Sequence, residues 1–486
     1  MRSIEQIYRH DEWWDEKNWS QVERDVKRLQ SRIYRASKKG DNKRVDNLMK
    51  LLVRSEKAKL LAIYIITQKN KGKATPGIDG KVYLTSRERM ELSNEEFDYR
   101  TYRFQPILRK YIPKTQMNWR ARGYNSKKRQ YERAEMRPLG IMTIKDRVMT
   151  TIISFALTAK WEALFEPNVM GFRPGRCAQD AIQRIYIELI RGNKIILDAD
   201  INKFFDNIKH IAILNKVNVF RKALYRCLNA GIIEKGKRIK TVKGIVQGSP
   251  ISPILANIAL NGMQKALGKD ICVITYADDL IIIAPTVATM KRMIPKLAKF
   301  LRERGLYLKR EKTRITTKKE GFNFLGFRIE QPRMKLYVKP QEEKVKKFLN
   351  HIREIIWSNK QIEQRKLIAK LNPVIRGWAM YYRYSDANKA FNWVDHEING
   401  IIWRWALRRH RDKGKRWIYD KYFDTTGMDK WIFKDARTGY TLYKTGKVQR
   451  LKYDFIVKDL SPFNPDPIIK EIWKKKRYQE VRCAMI

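Results

Sequence analysis

Two apolar runs rich in β-branched residues, Ile271-Cys272-Val273-Ile274-Thr275 and Leu280-Ile281-Ile282-Ile283-Ala284, flank the tetrapeptide Tyr276-Ala277-Asp278-Asp279. Runs of this kind, bounded by polar residues, predict strands, and so short a link predicts a hairpin with two carboxylates at its tip. Adjacent acids repel unless a cation sits on them, and Mg²⁺, which prefers oxygen ligands, suits the pair. An Asp-Asp pair standing alone is ordinarily a solvated turn. The rest of the chain has to decide between the two.

A third acid ends another apolar run, Ile195-Ile196-Leu197-Asp198-Ala199-Asp200, which reads as a buried strand. If these strands are neighbours in one antiparallel sheet, Asp200, Asp278 and Asp279 converge at its edge. Three carboxylates can hold two Mg²⁺ ions at the roughly 3.5–4 Å separation of two-metal phosphoryl transfer. Asp198 shares the face of Asp200 by strand alternation but sits two residues deeper, and it reads as structural. Asp206 and Asn207 are candidate caps for the helix that follows.

Charge says what the partner is. Across 486 residues, 104 Lys and Arg against 51 Asp and Glu leave a net charge of +53. Such a surface repels itself unless a polyanion neutralises it, which points to a phosphate backbone. A hydrophobic content of 43% supports folded cores, and the length suits about three units. No apolar run approaches the roughly 20 residues that span a bilayer, so no membrane partner is expected, and no secretory signal is visible. Cys177, Cys227, Cys272 and Cys483 form no paired motif, and the 5 histidines are scattered. Zinc and disulfide frameworks are therefore not expected, which leaves carboxylates as metal ligands.

Along the chain, residues 1–80 show helical spacing (Val26, Leu29, Ile33) and end in the breaker-rich Thr75-Pro76-Gly77-Ile78-Asp79-Gly80. The segment 101–137 interleaves Arg and Lys with Tyr102, Phe104, Tyr111, Trp119, Tyr124 and Tyr131. Cations that track phosphates beside rings that stack on bases suit single-stranded nucleic acid. Residues 340–425 return to a basic helical pattern with Trp378, Trp393, Trp403 and Trp405 among arginines, and a proline-rich stretch and basic tail follow.

These residues resemble the group II intron-encoded reverse transcriptases, also called maturases. The blocks that carry the resemblance run in order through nearly the whole chain. They are Arg137-Pro138-Leu139-Gly140-Ile141, Gly171-Phe172-Arg173-Pro174-Gly175-Arg176, Asp200 to Asn207, Gln247-Gly248 with Ser252-Pro253, the Tyr276–Asp279 hairpin, Glu311-Lys312-Thr313 and Phe324-Leu325-Gly326-Phe327. Asn372-Pro373-Val374-Ile375-Arg376-Gly377-Trp378 with Tyr381-Tyr382 is similar to the maturase (X) region.

The resemblance implies an α+β right-hand polymerase. Its parts would be a helical N-terminal extension (1–80), fingers and palm with an antiparallel sheet (81–335), a helical thumb or maturase X domain (336–425) and a small basic DNA-binding-like region (426–486). It implies an RNA-directed DNA polymerase, a nucleotidyltransferase that copies group II intron RNA from a DNA primer at its target and assists splicing. Asp200, Asp278 and Asp279 would be the catalytic ligands of two Mg²⁺ ions. Lys114, Arg137, Phe205, Gln247, Gly248 and Lys312 would form the dNTP pocket, with Phe205 excluding a 2′-hydroxyl. Arg173, Arg176, Arg376, Trp378, Arg404, Arg408 and Arg409 would contact nucleic acid. The expected setting is a bacterial cytoplasm or an organelle. Oligomeric state is left open, and the HNH endonuclease of many relatives is expected to be lacking. Residues 115–136 stand where relatives carry a short turn, and Met142, Val246, Ser249 and Cys177 replace residues usual in the family; none removes a charged catalytic group.

Overall fold

The computed structural model describes residues 13–113, 136–427, 429–453 and 460–484. Lys114 and all but the last residue of the 115–136 insertion lie outside the described residues.

Three helices open the described chain: α1 (Trp19–Lys38), α2 (Asn42–Val53) and α3 (Glu56–Tyr64), the last running into a π-helical turn at Ile65–Lys69. Asn18 and Asp41 cap α1 and α2 by accepting from Gln21 N and Arg44 N, satisfying donors that a helix start leaves open. Val22, Val26 and Ile33 are buried on one face of α1, and the bundle packs on α4 (Ile144–Glu162), which is buried nearly all round. A helix without a polar face belongs at the centre of a core. Arg147 of α4 donates to the carbonyls of Met142 (2.9 Å), Gly72 (3.0 Å) and Thr75 (2.7 Å), tying down the start of the Thr75–Gly80 turn.

Strands β1 (Ile107–Pro113) and β2 (Met136–Ile141) pair antiparallel with Ile112 opposite Arg137. After α5 (Ala178–Ile190) comes β3 (Ile195–Asp200). Two short strands, β4 (Ile232–Glu234) and β5 (Lys237–Ile239), complete the first sheet in the order β2-β1-β4-β5. Helix α6 (Ser252–Leu260), strands β6 (Cys272–Tyr276) and β7 (Asp279–Ala284), helix α7 (Val287–Glu303) and strand β8 (Arg314–Thr317) follow. The second sheet has the order β6-β7-β3-β8 and is antiparallel throughout. Leu197, Ala199, Val273, Leu280 and Ile282 join one hydrophobic cluster, while Ile196, Cys272, Ile274, Ile281 and Ile283 join another. Alternation sends neighbours to opposite faces, and both faces are covered. That is why apolar residues run consecutively in these strands rather than at every second position.

A third sheet, β11-β10-β9, is built from β9 (Phe322–Phe324), β10 (Phe327–Glu330) and β11 (Tyr337–Pro340). It meets a bundle of α8 (Glu342–Ser358), α9 (Gln364–Tyr382) and α10 (Asn388–Arg409), in which Leu349, Ile352, Leu371, Ile375, Ile398 and Ile402 form the core. Tyr381 and Tyr382 of α9 donate to the carbonyls of Leu325 (2.8 Å) and Gly326 (3.1 Å), tying bundle to sheet. Pro373 is tolerated inside α9, and its neighbour Asn372 reaches out to Thr441 O and Tyr443 N.

The architecture is α+β in the right-hand arrangement. The 335/336 cut divides the β9–β11 meander, and the 425/426 cut runs through β12 (Phe423–Thr426), which pairs with β13 (Asp429–Phe433). Phe423, Phe433 and Leu442 are buried in the same cluster as the helical bundle, so the hairpin shares its core. Asp206 and Asn207 lie inside the short helix Phe204–Asn207 instead of capping its start, where Lys203 stands in a left-handed conformation (φ 44°).

Candidate active site

Tyr276 pairs with Asp279 across β6 and β7, so the hairpin turns on two residues, Ala277 and Asp278. Two-residue turns that follow the twist of the strands need a positive φ. Ala277 supplies it at 59°, a conformation that strains an L-residue by roughly 1–3 kcal/mol. Asp279 lies directly opposite Asp200 of β3 in the register, which sets their Cα atoms about 4.5–5.5 Å apart. The end of β3 is pinned in turn: Lys309 N donates to Asp200 O (2.8 Å) and Asn202 N to Tyr307 O (2.9 Å).

Crowding of like charge is legible in the acids. Desolvation, then the charges of Asp278 and Asp200, push the Asp279 carboxyl up to about 6. Desolvation and Asp200 also raise Asp278, against the pull of Arg137 and Lys312. Asp279 keeps contact with solvent, which screens part of this repulsion. Lys312 Nζ donates to Asp200 Oδ2 at 2.7 Å. Asp198, deeper on the strand, faces Arg314 at 3.4 Å.

Among the described residues, no three His, Cys, Asp or Glu groups stand ready as a metal cage. The donor chemistry nonetheless suits a hard cation: Asp200 faces Asp279 at the end of the two central strands and shares a cavity wall with Asp278, and the ammonium of Lys312 already occupies Asp200 as a stand-in positive charge. A divalent ion at Asp200 would displace that ammonium.

The acids sit between two cavities. One, of about 920 Å³, is lined by Arg137, Phe205, Gln247 and Lys312 together with Asp200 and Asp278. Its walls are held by Gly140 N donating to Gln247 O (2.8 Å) and Ile245 N donating to Phe205 O (2.7 Å). Gly248 follows with φ 107°, a conformation that favours glycine. The other cavity, of about 1420 Å³, is lined by Asp200, Asp279, Phe324, Leu325, Gly326 and Tyr381 and opens toward the helical bundle.

Comparison with known proteins gives a matching picture. Residues 14–95 match the N-terminal domain of reverse transcriptase, 125–329 the reverse transcriptase (RNA-dependent DNA polymerase) family, and 345–423 the group II intron maturase-specific domain. The chain carries, in this order, a reverse transcriptase N-terminal domain, a reverse transcriptase domain and a group II intron maturase-specific domain. Protein YkfC of Escherichia coli is 26% identical over 370 residues, covering 65% of this chain and 92% of its own. Group II intron-encoded protein LtrA of Lactococcus lactis is 34% identical over 203 residues, covering 40% of this chain and 31% of its own. A solved telomerase from Candida albicans, with a fragment of telomeric RNA, is 12% identical with a TM-score of 0.37, covering 66% of this chain and 65% of its own.

Two of the residues expected to contact nucleic acid turn inward instead, and a third is half-buried. Arg173 is closed on Glu162 (Nε–Oε1 2.8 Å, Nη2–Oε2 3.0 Å) and donates to Val169 O, with both side chains almost fully buried. Arg176 is buried and donates to Leu460 O, and desolvation lowers its guanidinium to about 10. Trp378 stacks on Phe348 at 4.5 Å and meets Phe391 edge-on, half-buried against the bundle's core. Arg376 lies over the Tyr443 ring, while Arg404, Arg408 and Arg409 stand on the exposed side of α10.

Phe172, inside the Gly171–Arg176 block, is a neighbour of the site that the sequence does not single out. It is 44% exposed, adopts φ 59°, and meets Phe205 edge-on at 5.9 Å. A large exposed ring in a strained conformation beside the site is the kind of signal that only coordinates supply.

Proposed function

We propose that Asp200, Asp278 and Asp279 hold two Mg²⁺ ions and that the reverse transcriptase extends a DNA primer along intron RNA at its target. The observation that carries this reading is the Asp200–Asp279 pairing at the end of the two central strands, between two cavities. The bound ions would lower the pKa of the primer hydroxyl and neutralise charge developing on the phosphates.

The protein's own part is positioning and charge. The smaller cavity takes the dNTP. Arg137 presents a planar fork to phosphate oxygens, and Lys312, on release from Asp200, adds a point charge beside them. Phe205 packs under the sugar and leaves no room for a 2′-hydroxyl, while Gln247 lines the base side and Gly248 beside it keeps the backbone turn that glycine favours. Lys114 would join the triphosphate grip. The larger cavity, with Phe324-Leu325-Gly326 along its wall, takes the primer end. The helical bundle with its β12–β13 hairpin would bind intron RNA through Arg404, Arg408 and Arg409, and the following segment would bind target DNA. Among the described residues no helix is long and apolar enough to cross a membrane; a bacterial cytoplasm or an organelle is the setting we assign.

Primer extension on an RNA template tests the reading. Mg²⁺-dependent product is expected from the unaltered protein, and Asp278→Ala should lower the rate by at least ~10³-fold, since two ions lose a shared ligand. No product from the unaltered protein refutes the polymerase reading and leaves a splicing factor.

A further inference from the structure

The Ala277–Asp278 turn is not carried by its own hairpin alone. Residues 168–171 run beside β6: Thr275 N donates to Asn168 O (3.1 Å), Met170 N donates to Thr275 O (2.9 Å), and Val169 forms a parallel bridge with Thr275. The segment ends at Gly171, directly against the turn. A β-carbon there would lie 2.4 Å from Ala277 N and 2.9 Å from the carbonyl carbon of Tyr276, so no larger residue fits without moving the turn.

Gly171 is gripped from behind. Its carbonyl accepts from Asn257 Nδ2 at 2.8 Å, and Asn257 is only 3% exposed. Asn257 is the polar exception in the apolar stretch Ile254-Leu255-Ala256-Asn257-Ile258-Ala259-Leu260 of α6. A buried carboxamide is costly unless it is hydrogen-bonded. The end of α6 is fixed separately: Lys216 Nζ donates to the carbonyls of Ile258 (2.9 Å), Ala259 (3.1 Å) and Asn261 (2.7 Å), and Arg304 Nε to Ala259 O (2.8 Å). Arg304 still holds that end when Lys216 is removed, and Asn257 is the helix's contact with Gly171.

We propose that Asn257 is a positioning residue for reverse transcription: by holding the Gly171 carbonyl it presses residues 168–171 against the Tyr276–Ala277 peptide and sets Asp278 and Asp279 where they can share cations with Asp200. The inference rests on the three-acid reading above. Asn257 itself touches none of the acids; it acts through one backbone carbonyl and one close backbone contact. The strained φ of Ala277 gives the turn a reason to relax when that contact loosens.

The test uses the full chain with Asn257→Ala and, as a control on the same helix, Lys216→Met, which removes the α6 end-cap without touching Gly171. Mn²⁺ binding to the protein without nucleic acid is followed by electron paramagnetic resonance, beside primer extension over a Mg²⁺ series and thermal unfolding. Asn257→Ala should weaken Mn²⁺ binding about 10-fold and lower kcat on the order of 10²-fold, the scale of a 1 Å misplacement. Template–primer affinity should stay within about 2-fold, because the phosphate contacts that dominate it are untouched. Lys216→Met should lower the melting temperature at least as much while leaving Mn²⁺ binding unaltered.

If Asn257→Ala binds Mn²⁺ and turns over like the unaltered protein, or if Lys216→Met reproduces its metal defect, the positioning role is overturned. If Asn257→Ala does not fold, Asn257→Ser, whose shorter side chain cannot span the same distance, is judged by the same measurements. An inactive unaltered protein would instead strike at the polymerase reading.

Discussion

In the palm, the arginines of the Gly171–Arg176 loop point inward, Arg173 onto Glu162 and Arg176 onto the Leu460 carbonyl. In the thumb, Arg404, Arg408 and Arg409 stand outside a core of isoleucine, leucine and tryptophan. Both regions are rich in arginine, yet only the second leaves it for a polyanion. What makes a cation available is not the basicity of its neighbourhood but whether an acid or a carbonyl waits beneath it. The palm loop must hold a fixed shape beside the catalytic turn, and a buried, bidentate ion pair supplies shape. The thumb has no such demand, so its arginines remain on the surface.

The sharpest way to break this comparison is Arg173→Ala. It would leave Glu162 charged and buried, and losing one partner of such a pair typically costs about 3–5 kcal/mol. Denaturant unfolding should show that loss, whereas the joint replacement Arg173→Met with Glu162→Leu should restore most of it. If Arg173→Ala kept full stability and lost only RNA affinity, the palm arginine would behave as a thumb arginine and the contrast would fail.

The same contrast explains what was legible in the sequence. The strand ends and the two-residue turn that carry Asp200, Asp278 and Asp279 follow from short apolar runs, but that β3 lies beside β7 is a condition the sequence only poses. Arg173 could not be assigned, because nothing in its spacing reveals that Glu162, at the end of α4, lies under it. Trp378 reads as a ring among arginines until Phe348 is seen stacked on it. Composition changes at the expected 425/426 boundary, and it does not reveal that the buried Phe433 and Leu442 beyond it share the bundle's core. Long-range packing, not local pattern, decided each of these.

A buried acid with no cation paired to it among the described residues extends the comparison. Asp146, fully buried at the start of α4, accepts from Tyr102 Oη (3.0 Å) and Gln105 N (3.2 Å), and desolvation pushes its carboxyl up to about 6. A raised carboxyl makes the folded state bind the proton more tightly than the unfolded chain, so its contribution is greatest below the unfolded value near 4 and is lost as pH rises through about 6. Relative to Asp146→Asn, the unaltered protein should therefore gain up to ~3 kcal/mol of unfolding free energy as pH falls from 7 to 4. A flat difference across that range would mean that Asp146 stays ionised and has a cationic partner after all.

Phe205 is a smaller perturbation on the catalytic side. Phe205→Ala opens space under the sugar and should narrow the preference for dNTP over rNTP by roughly 10–200-fold, the range a steric pocket usually provides. The measurement is the ratio of kcat/KM for the two nucleotides on one template. Unchanged selection would reassign Phe205 to the core it partly contacts, with Phe204 and Phe172 as its neighbours.

The thumb arginines should give the smallest effect on stability and the clearest effect on salt dependence. Arg404 and Arg408 are exposed, and Arg408 lies over the Trp357 ring at 5.3 Å, an arrangement that orients the guanidinium without neutralising it. Arg409 is divided: it is exposed, yet it donates to Ile362 O at 2.8 Å. Removing one arginine–phosphate pair flattens the slope of log affinity against log salt by about 0.7–0.9. The triple replacement by alanine should therefore reduce that slope by roughly 2 or more for structured RNA, with less than ~1 kcal/mol of stability lost per arginine. Singly, Arg409→Ala should change the slope least and the melting temperature most, because part of its charge is already given to a carbonyl. A large drop in melting temperature with an unaltered slope would show that these arginines tie the bundle together as Arg173 ties the palm, and the two regions would then use arginine alike.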